Sequence, residues 1–543
     1  MKNPKDYGLP YESLREGQVK AIDWIEKNDW LYSKGEDKVK VIEAPTGTGK
    51  TGLILYLAAK HPDLRILVLC ATKLEQAQYE DNVTPLYKGF VSVKGRNNFH
   101  CYLDSPLADE ECSDSVCFDI HVDQAKCTVF SEKKDNHFKC EIRDQCTYFQ
   151  QLDKLRYSKV IVTNYAYGLA MLNFNPDRFG KFDLIVSDEG HVLDEMLESF
   201  IQVKLWHRQM EKLYGIELPE YETVAQWQRW CDDRYYAIED LSKKTHQVHP
   251  RDMSKEEISL AKRADSVKQS FDSIKDMDVD WVVEQDRSSI EFKPVWVTSK
   301  SKQVLFNFAD RHIIMSGTIP SGVELARKVG IKAKEFQFYR LPYLFPVENR
   351  PIICKPTAIM NAKSIDMNLP IILNEIDRII GENLDKKILI HTVNYKIARF
   401  LESRSKYSGY LYTHDSRNRL RTLQQFKKAT APAILVSPSF DKAVDLPDKE
   451  CELTIIAKLP YPYLGSKVMQ KRLEDKTTGR RYYNHETLAS LIQMAGRGVR
   501  SETDKCPTII LDSGAPKFFK QCRTQNLIPQ GIEEAIEVRR KHG

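Results

Sequence analysis

Short runs of continuous apolar residues alternate along this chain with longer stretches in which apolar positions recur at helical spacing. Val39 to Ile42, Arg65 to Leu69, Val160 to Thr163, Leu184 to Ser187 and Ile313 to Ser316 have the length expected of strands buried on both faces, and helical patterns separate several of them. This series predicts a doubly wound α/β domain interrupted by insertions. A second series, Lys387 to Ile390, Ala433 to Val436, Leu453 to Ala457 and Thr508 to Leu511, predicts another sheet of the same class. Two such sheets form a natural cleft. Between Phe200 and about Val297 the texture changes, with charged residues and lone aromatics (Trp206, Trp227, Trp230, Tyr235, Tyr236) at helical spacings and no strand until the end. That span reads as a helical insertion closed by a hairpin, Asp280 to Glu284 and Ile290 to Val297, leading back to the sheet. Its aromatics are expected to pack among helices rather than stack on bases.

At 543 residues the chain exceeds what one core supports and should divide into about three or four units. No apolar run is long enough to span a bilayer, and the opening MKNPKDYGLP lacks the layout of a secretory signal, so an intracellular protein with reduced thiols is expected. The net charge of +5, from 81 basic and 76 acidic residues, announces no polyanionic partner. Nucleic-acid binding would have to come from a local groove. Half of the twelve cysteines, namely Cys101, Cys112, Cys117, Cys127, Cys140 and Cys146, crowd into one short window. In a reducing compartment such crowding points to a metal site more than to disulfides.

Three segments carry chemistry. EAPTGTGKT, Glu43 to Thr51, lies between two apolar runs, so a strand, a glycine-bearing turn and a helix follow in the order that aims backbone N–H groups at a polyphosphate. Thr46, Gly47, Thr48 and Gly49 would form the cradle, Lys50 would reach the β- and γ-phosphates, and the Thr51 hydroxyl would hold Mg²⁺. Ala44 stands where a phosphate loop usually has its first glycine. In IVSDEGH, Ile185 to His191, a strand ends in two carboxylates: Asp188 to bind Mg²⁺ and Glu189 to orient and deprotonate the attacking water, with His191 sensing the γ-phosphate or relaying its state across the cleft. In QMAGRGVR, Gln493 to Arg500, the spacing puts Arg497 and Arg500 on one helix face, where both can neutralise charge developing on the γ-phosphate.

Taken together these segments resemble superfamily 2 helicases, and within them the XPD/DinG group, with DEGH in place of the common DEAH. Finer matches are similar to other motifs of that group: YESLREGQ with Arg15 and Gln18, ATKLEQAQ with Thr72 and Gln76, IVTNYAYGL from Ile161, IIMSGTIP from Ile313, and VSPSFDKAVDLP from Val436. In the last, Lys442 and Ala443 replace the usual Glu-Gly pair and Asp445 is carried over. The resemblance implies that Gln18 contacts adenine, that Asp445 and Gln493 serve the nucleotide site, and that Thr72 and Gln76 lie in a motif gripping the nucleic-acid backbone. KGRNNFHC and CEIRDQCTYF resemble the opening and close of the group's iron–sulfur domain, which implies Cys101, Cys140 and Cys146 as ligands with Cys127 as the fourth and Cys112 and Cys117 as rivals. Four thiolates suit a [4Fe–4S] cluster or Zn²⁺ by spacing; the resemblance selects iron.

The fold so implied is α/β, two RecA-like parallel-sheet motor domains with an iron–sulfur insertion and a helical Arch insertion in the first. The expected segments are 1–93, 159–199 and 299–322 for the first motor domain, 94–158 for the cluster domain, 200–298 for the Arch-like insertion and 323–543 for the second motor domain. The activity implied is that of an ATP-dependent, Mg²⁺-requiring helicase, a monomer moving 5′ to 3′ on single-stranded and forked DNA. An RNA- or RNA–DNA-directed translocase and an ATP-gated binding module without unwinding are the alternatives.

Overall fold

The computed structural model describes all residues except 1–2, 46, 84–86, 100–145, 248–253, 279, 416, 439–445, 500 and 543. In chain order the strands are β1 (Val39–Glu43), β2 (Ile66–Cys70), β3 (Phe90–Ser92), β4 (Val160–Asn164), β5 (Phe182–Ser187), β6 (Val203–Trp206), β7 (Trp281–Gln285), β8 (Ser289–Pro294), β9 (Ala309–Ser316), β10 (Phe336–Arg340), β11 (Ile352–Ala358), β12 (Lys387–His391), β13 (Leu411–Thr413), β14 (Ala433–Ser437), β15 (Leu453–Ile456) and β16 (Thr508–Asp512). A seven-stranded parallel sheet, ordered β10-β1-β9-β5-β2-β4-β3, forms the first lobe, and a six-stranded parallel sheet, ordered β11-β16-β15-β12-β14-β13, forms the second.

Both sheets are buried on two faces, which is why their strands read as unbroken apolar runs. Successive side chains point to opposite faces: on β2, Leu67 and Leu69 enter one core while Ile66, Val68 and Cys70 enter the other. The second lobe repeats the pattern, with Ile388 and Ile390 on one side of β12 and Leu389 on the other.

The helical insertion carries helices Val224–Thr245 and Lys255–Lys275 packed on a three-stranded antiparallel sheet, β6-β8-β7. The expected hairpin is present, but it pairs with β6 at the very start of the insertion rather than leading back into the main sheet. Trp227 and Trp230 are buried against each other and against Phe292 and Phe271, with ring centroids 5.2–5.5 Å apart. Trp206 and Tyr236 are exposed, so the packing expectation fails for those two.

One boundary also moves. β10 pairs in register with β1, so the first sheet continues past residue 322, into the span expected to open the second lobe. Its pattern, FQFYR, is half exposed at a sheet edge and lacks the continuous apolar signature of the central strands.

Candidate nucleotide site between the lobes

Three neighbouring strands, β1, β9 and β5, deliver the site at their carboxyl ends. After β1 the chain turns through Gly47 and Gly49, both at positive φ (86° and 77°), into helix Lys50–Lys60. Ala44 is not at such an angle; it continues the strand, its N–H donating to the Ser316 carbonyl at 2.8 Å, so that position does not require glycine. Arg15 bonds the Gly47 carbonyl, and the Gln18 amide donates to the Gly49 carbonyl at 2.8 Å while accepting from the Arg15 N–H at 2.8 Å. These contacts hold the loop by its carbonyls, and of its N–H groups that of Thr48 is spent on the Pro45 carbonyl at 3.2 Å. Gln18 therefore acts on the loop itself.

Lys50 is ion-paired with both acids, at 3.3 Å from Asp188 and closer still to Glu189. Burial alone would lower the lysine, but Asp188 and Glu189 beside it hold its pKa above the ordinary value. Burial likewise opposes ionisation of Glu189, yet Lys50 and His191 keep that carboxyl well below its usual range. Glu189 sits at φ 49°, a left-handed conformation rare for a residue with a side chain, and strain of this kind gathers at working sites. Gly190 has a packing reason: a β-carbon there would come within 2.2 Å of the Ile314 side chain, which accounts for DEGH where alanine is common.

Asp188 is buried and accepts from the Tyr79 hydroxyl at 2.8 Å. Glu75, a third acid lining the cleft, is pushed up to about 7 by burial and by the neighbouring Glu189 and Asp188. Asp188 with the Thr51 hydroxyl, which lines the same cleft, suits Mg²⁺, an ion that keeps several waters and takes its remaining ligands from phosphate.

A hydrogen-bonded chain then crosses to the second lobe. The Gln493 amide donates to His191 Nε2 at 2.6 Å, which leaves the ring proton on Nδ1, 2.8 Å from Ser316 Oγ. Ser316 Oγ in turn donates to Glu189 Oε2 at 3.2 Å. Arg497, just past the end of helix Thr478–Ala495, lines the same cavity of about 390 Å³ as Lys50, Glu189 and His191.

The expected site residues are thus brought together wherever they fall among the described residues: Gln18, Gly47, Thr48, Gly49, Lys50, Thr51, Asp188, Glu189, His191, Gln493 and Arg497. Thr46, Asp445, Arg500, Cys101, Cys127 and Cys140 lie outside the described residues. Cys146 is described, buried immediately before helix Thr147–Leu155. Gln76 departs from expectation, because its amide is spent internally on Ser92 Oγ (3.0 Å), the Val93 carbonyl (2.9 Å) and Asn164 (3.2 Å), so it braces the sheet edge. Ser316, Tyr79 and Glu75 were not singled out from the sequence. Ser316 had a signal in IIMSGTIP, whereas Tyr79 and Glu75 lie on a helix face that only folding turns toward Asp188.

The lobes and their shared cleft make an α/β fold of two RecA-like domains. A family described as helicase C-terminal domain matches residues 382–534, and one described as the res subunit of type III restriction enzymes matches residues 12–215. The ATP-dependent DNA helicase YoaA of Haemophilus influenzae is 21% identical over 571 residues, covering 87% of each chain, and YoaA of Escherichia coli is 21% identical over 599 residues, covering 93% of this chain and 91% of its own. A solved XPD helicase superposes with a TM-score of 0.60 at 16% identity, over 95% of this chain and 98% of the other; Xpd4 of S. tokodaii gives 0.56 at 17%, over 96% and 99%. The resemblance to the XPD/DinG group is borne out by these neighbours, and the fold is that of two RecA-like domains.

Proposed function

We propose that this chain is an ATP-dependent DNA helicase that moves 5′ to 3′ on single-stranded DNA and separates forked duplex. The observation that carries the reading is the bonded series Lys50, Glu189, Ser316, His191 and Gln493, which crosses from one lobe to the other beside a cavity that Arg497 also lines. Lys50 pairs with Asp188 and Glu189. When the phosphates arrive, Lys50 exchanges that pairing for the β- and γ-oxygens, and Glu189 is freed to accept a proton from water attacking the γ-phosphorus. The bond to the β–γ bridging oxygen breaks, ADP and phosphate result, and Arg497, with Arg500, offsets the charge that develops. The Ser316–His191–Gln493 chain reports the state of Glu189 to the second lobe. Closing and reopening of the cleft then steps the motor along the DNA backbone.

The segments expected for a cluster domain and an Arch complete the proposal. Cys101, Cys127, Cys140 and Cys146 would hold a [4Fe–4S] cluster. Cys146 fits that role by position, as a buried thiol immediately before helix Thr147–Leu155. The bound cluster would supply a cross-link stiffening a small insertion. An iron and sulfide assay on anaerobically purified protein, followed by strand displacement on 5′-tailed and 3′-tailed duplexes with ATP and Mg²⁺, tests the whole. Unwinding of the 5′-tailed substrate is expected. Activity confined to the 3′-tailed one would overturn the polarity, and DNA-stimulated hydrolysis without unwinding would favour a gated binding module.

A further inference from the structure

The segment joining the lobes, residues 341–351, carries a side chain into the nucleotide cleft. Its first residue, Leu341, is buried in the core of the first lobe. Beyond it the segment is anchored on the second lobe: Tyr343 and Val347 pack on the cluster containing Leu527 and Ile532, and Phe345 packs on the one containing Leu389, Phe426 and Val499. Arg350 fastens this arrangement, its guanidinium 4.4 Å from the Tyr343 ring centre and its Nε donating to the Phe345 carbonyl at 3.4 Å.

From that anchorage the Phe345 ring reaches across to the phosphate loop. Its tip, Cζ, lies 2.4 Å from the point where a β-carbon on Gly47 would stand, so the ring fills the space directly over Gly47. Phe345 and Gly47 line the same cleft as Lys50 and Arg497. A polyphosphate entering this loop would meet the phenyl ring as one wall of that cleft. The linker also carries an unmet polar group: among the described residues the buried Tyr343 hydroxyl has no hydrogen-bond partner, and neither has Oε1 of the buried Glu43 at the root of the loop. Buried polar atoms are normally satisfied, so the two stand out beside this cleft.

We propose that Phe345 is the gate of the nucleotide site: its ring stands over the phosphate loop, and nucleotide binding displaces it. The inference rests on the nucleotide reading above and adds a coupling to it. Because the ring is seated on the second lobe beside Val499, expelling it shifts the same loop that carries Arg497. Nucleotide entry and lobe movement become one event.

The test compares wild type with Phe345→Ala and Phe345→Leu by ADP binding and by steady-state hydrolysis of ATP without DNA. The alanine variant should bind ADP and show a KM for ATP roughly tenfold tighter, the change expected from releasing about half the burial of a phenyl ring. Leucine should fall between. Unchanged or weaker affinity in both variants would overturn the gate. Phe345→Trp supplies a readout independent of packing losses: its emission should shift as ADP is titrated in, and a signal indifferent to saturating ADP would equally overturn it. A wild-type protein that binds no ADP would instead refute the nucleotide reading, which separates the two failures.

Discussion

On the function proposed above, the bond between His191 and Gln493 is where the two lobes would exchange information, and a double-mutant cycle measures it. Gln493→Ala removes a donor 2.6 Å from His191 Nε2, and His191→Ala removes the acceptor together with the 2.8 Å contact to Ser316. A net hydrogen bond is worth about 0.5–1.5 kcal/mol, and leaving a buried partner unsatisfied costs about 1–3 kcal/mol more. Because the pair matters only when the cleft is aligned, most of that cost should appear in the transition state. Each single variant should lose roughly 10- to 30-fold in DNA-stimulated kcat, corresponding to about 1.4–2 kcal/mol. KM for ATP should move by no more than about twofold, since neither side chain touches the phosphate loop. The double variant should be no worse than the poorer single, giving a coupling energy of about 1–2 kcal/mol. The assay is steady-state hydrolysis with saturating single-stranded oligonucleotide, with oligonucleotide anisotropy checking that each variant still binds DNA. Additive losses, with a coupling energy under about 0.3 kcal/mol, would refute the relay.

Three further outcomes are expected. Lys50→Ala should abolish ATP turnover while leaving most single-strand binding intact; hydrolysis at the wild-type rate would contradict the site. Glu43, fully buried beside Arg340, is pushed up to about 7 by burial against the opposing pull of that arginine. A carboxyl whose folded pKa exceeds its unfolded value is stabilising in its protonated form, so nucleotide-free wild type should lose about 3 kcal/mol of stability as pH rises from 4.5 through 7. Glu43→Gln should flatten that slope in unfolding measured between pH 4 and 8, and identical slopes would exclude Glu43 as the cause. Cys146→Ser should lose iron absorbance and unwinding yet keep some DNA-stimulated hydrolysis, and unwinding that persists without iron would remove the cluster from strand separation.

What was legible in the chain follows from burial. The central strands β1, β2, β4, β5, β9, β12, β14, β15 and β16 are covered on both faces and announce themselves as apolar runs, whereas β3, β10 and β13 lie at sheet edges, are short or half exposed, and carry no such signature. β6 was missed for a related reason, since VKLW alternates buried and exposed residues across only four positions. The phosphate loop, the acid pair and Arg497 were legible because their chemistry demands particular residue types at fixed spacing. Ser316 and Tyr79 were less so, because a serine or tyrosine acquires its role only from what folding sets opposite it. Phe345 reads in sequence as one more apolar linker residue, and only the position of its ring over Gly47 gives it meaning.

The contacts between the lobes also decide which of them yields when the cleft moves. Behind the site, Lys328 is fully buried between Asp194 (2.6 Å) and Glu486 (3.0 Å) and donates to the His191 carbonyl at 2.7 Å. Burial alone would lower its pKa, but the two acids hold it raised, so the lysine stays charged. Arg472 ties Glu198 (2.9 Å) to Tyr482 (2.7 Å) alongside. Stripping one partner from a buried pair of this kind costs about 3–5 kcal/mol, against about 1 kcal/mol for a single neutral hydrogen bond. Under load the ionic cluster therefore holds and the Gln493–His191 bond gives way. Helix Thr478–Ala495 contains both Glu486 and Gln493, which stand about 10 Å apart along its axis at 1.5 Å per residue. A rotation of about 10° about the ionic end displaces the Gln493 end by about 2 Å, enough to break a hydrogen bond of normal length. On the function proposed above, the buried cluster would be the fulcrum, and the helix would convert a small change at the phosphates into movement of the lobe that carries Arg497.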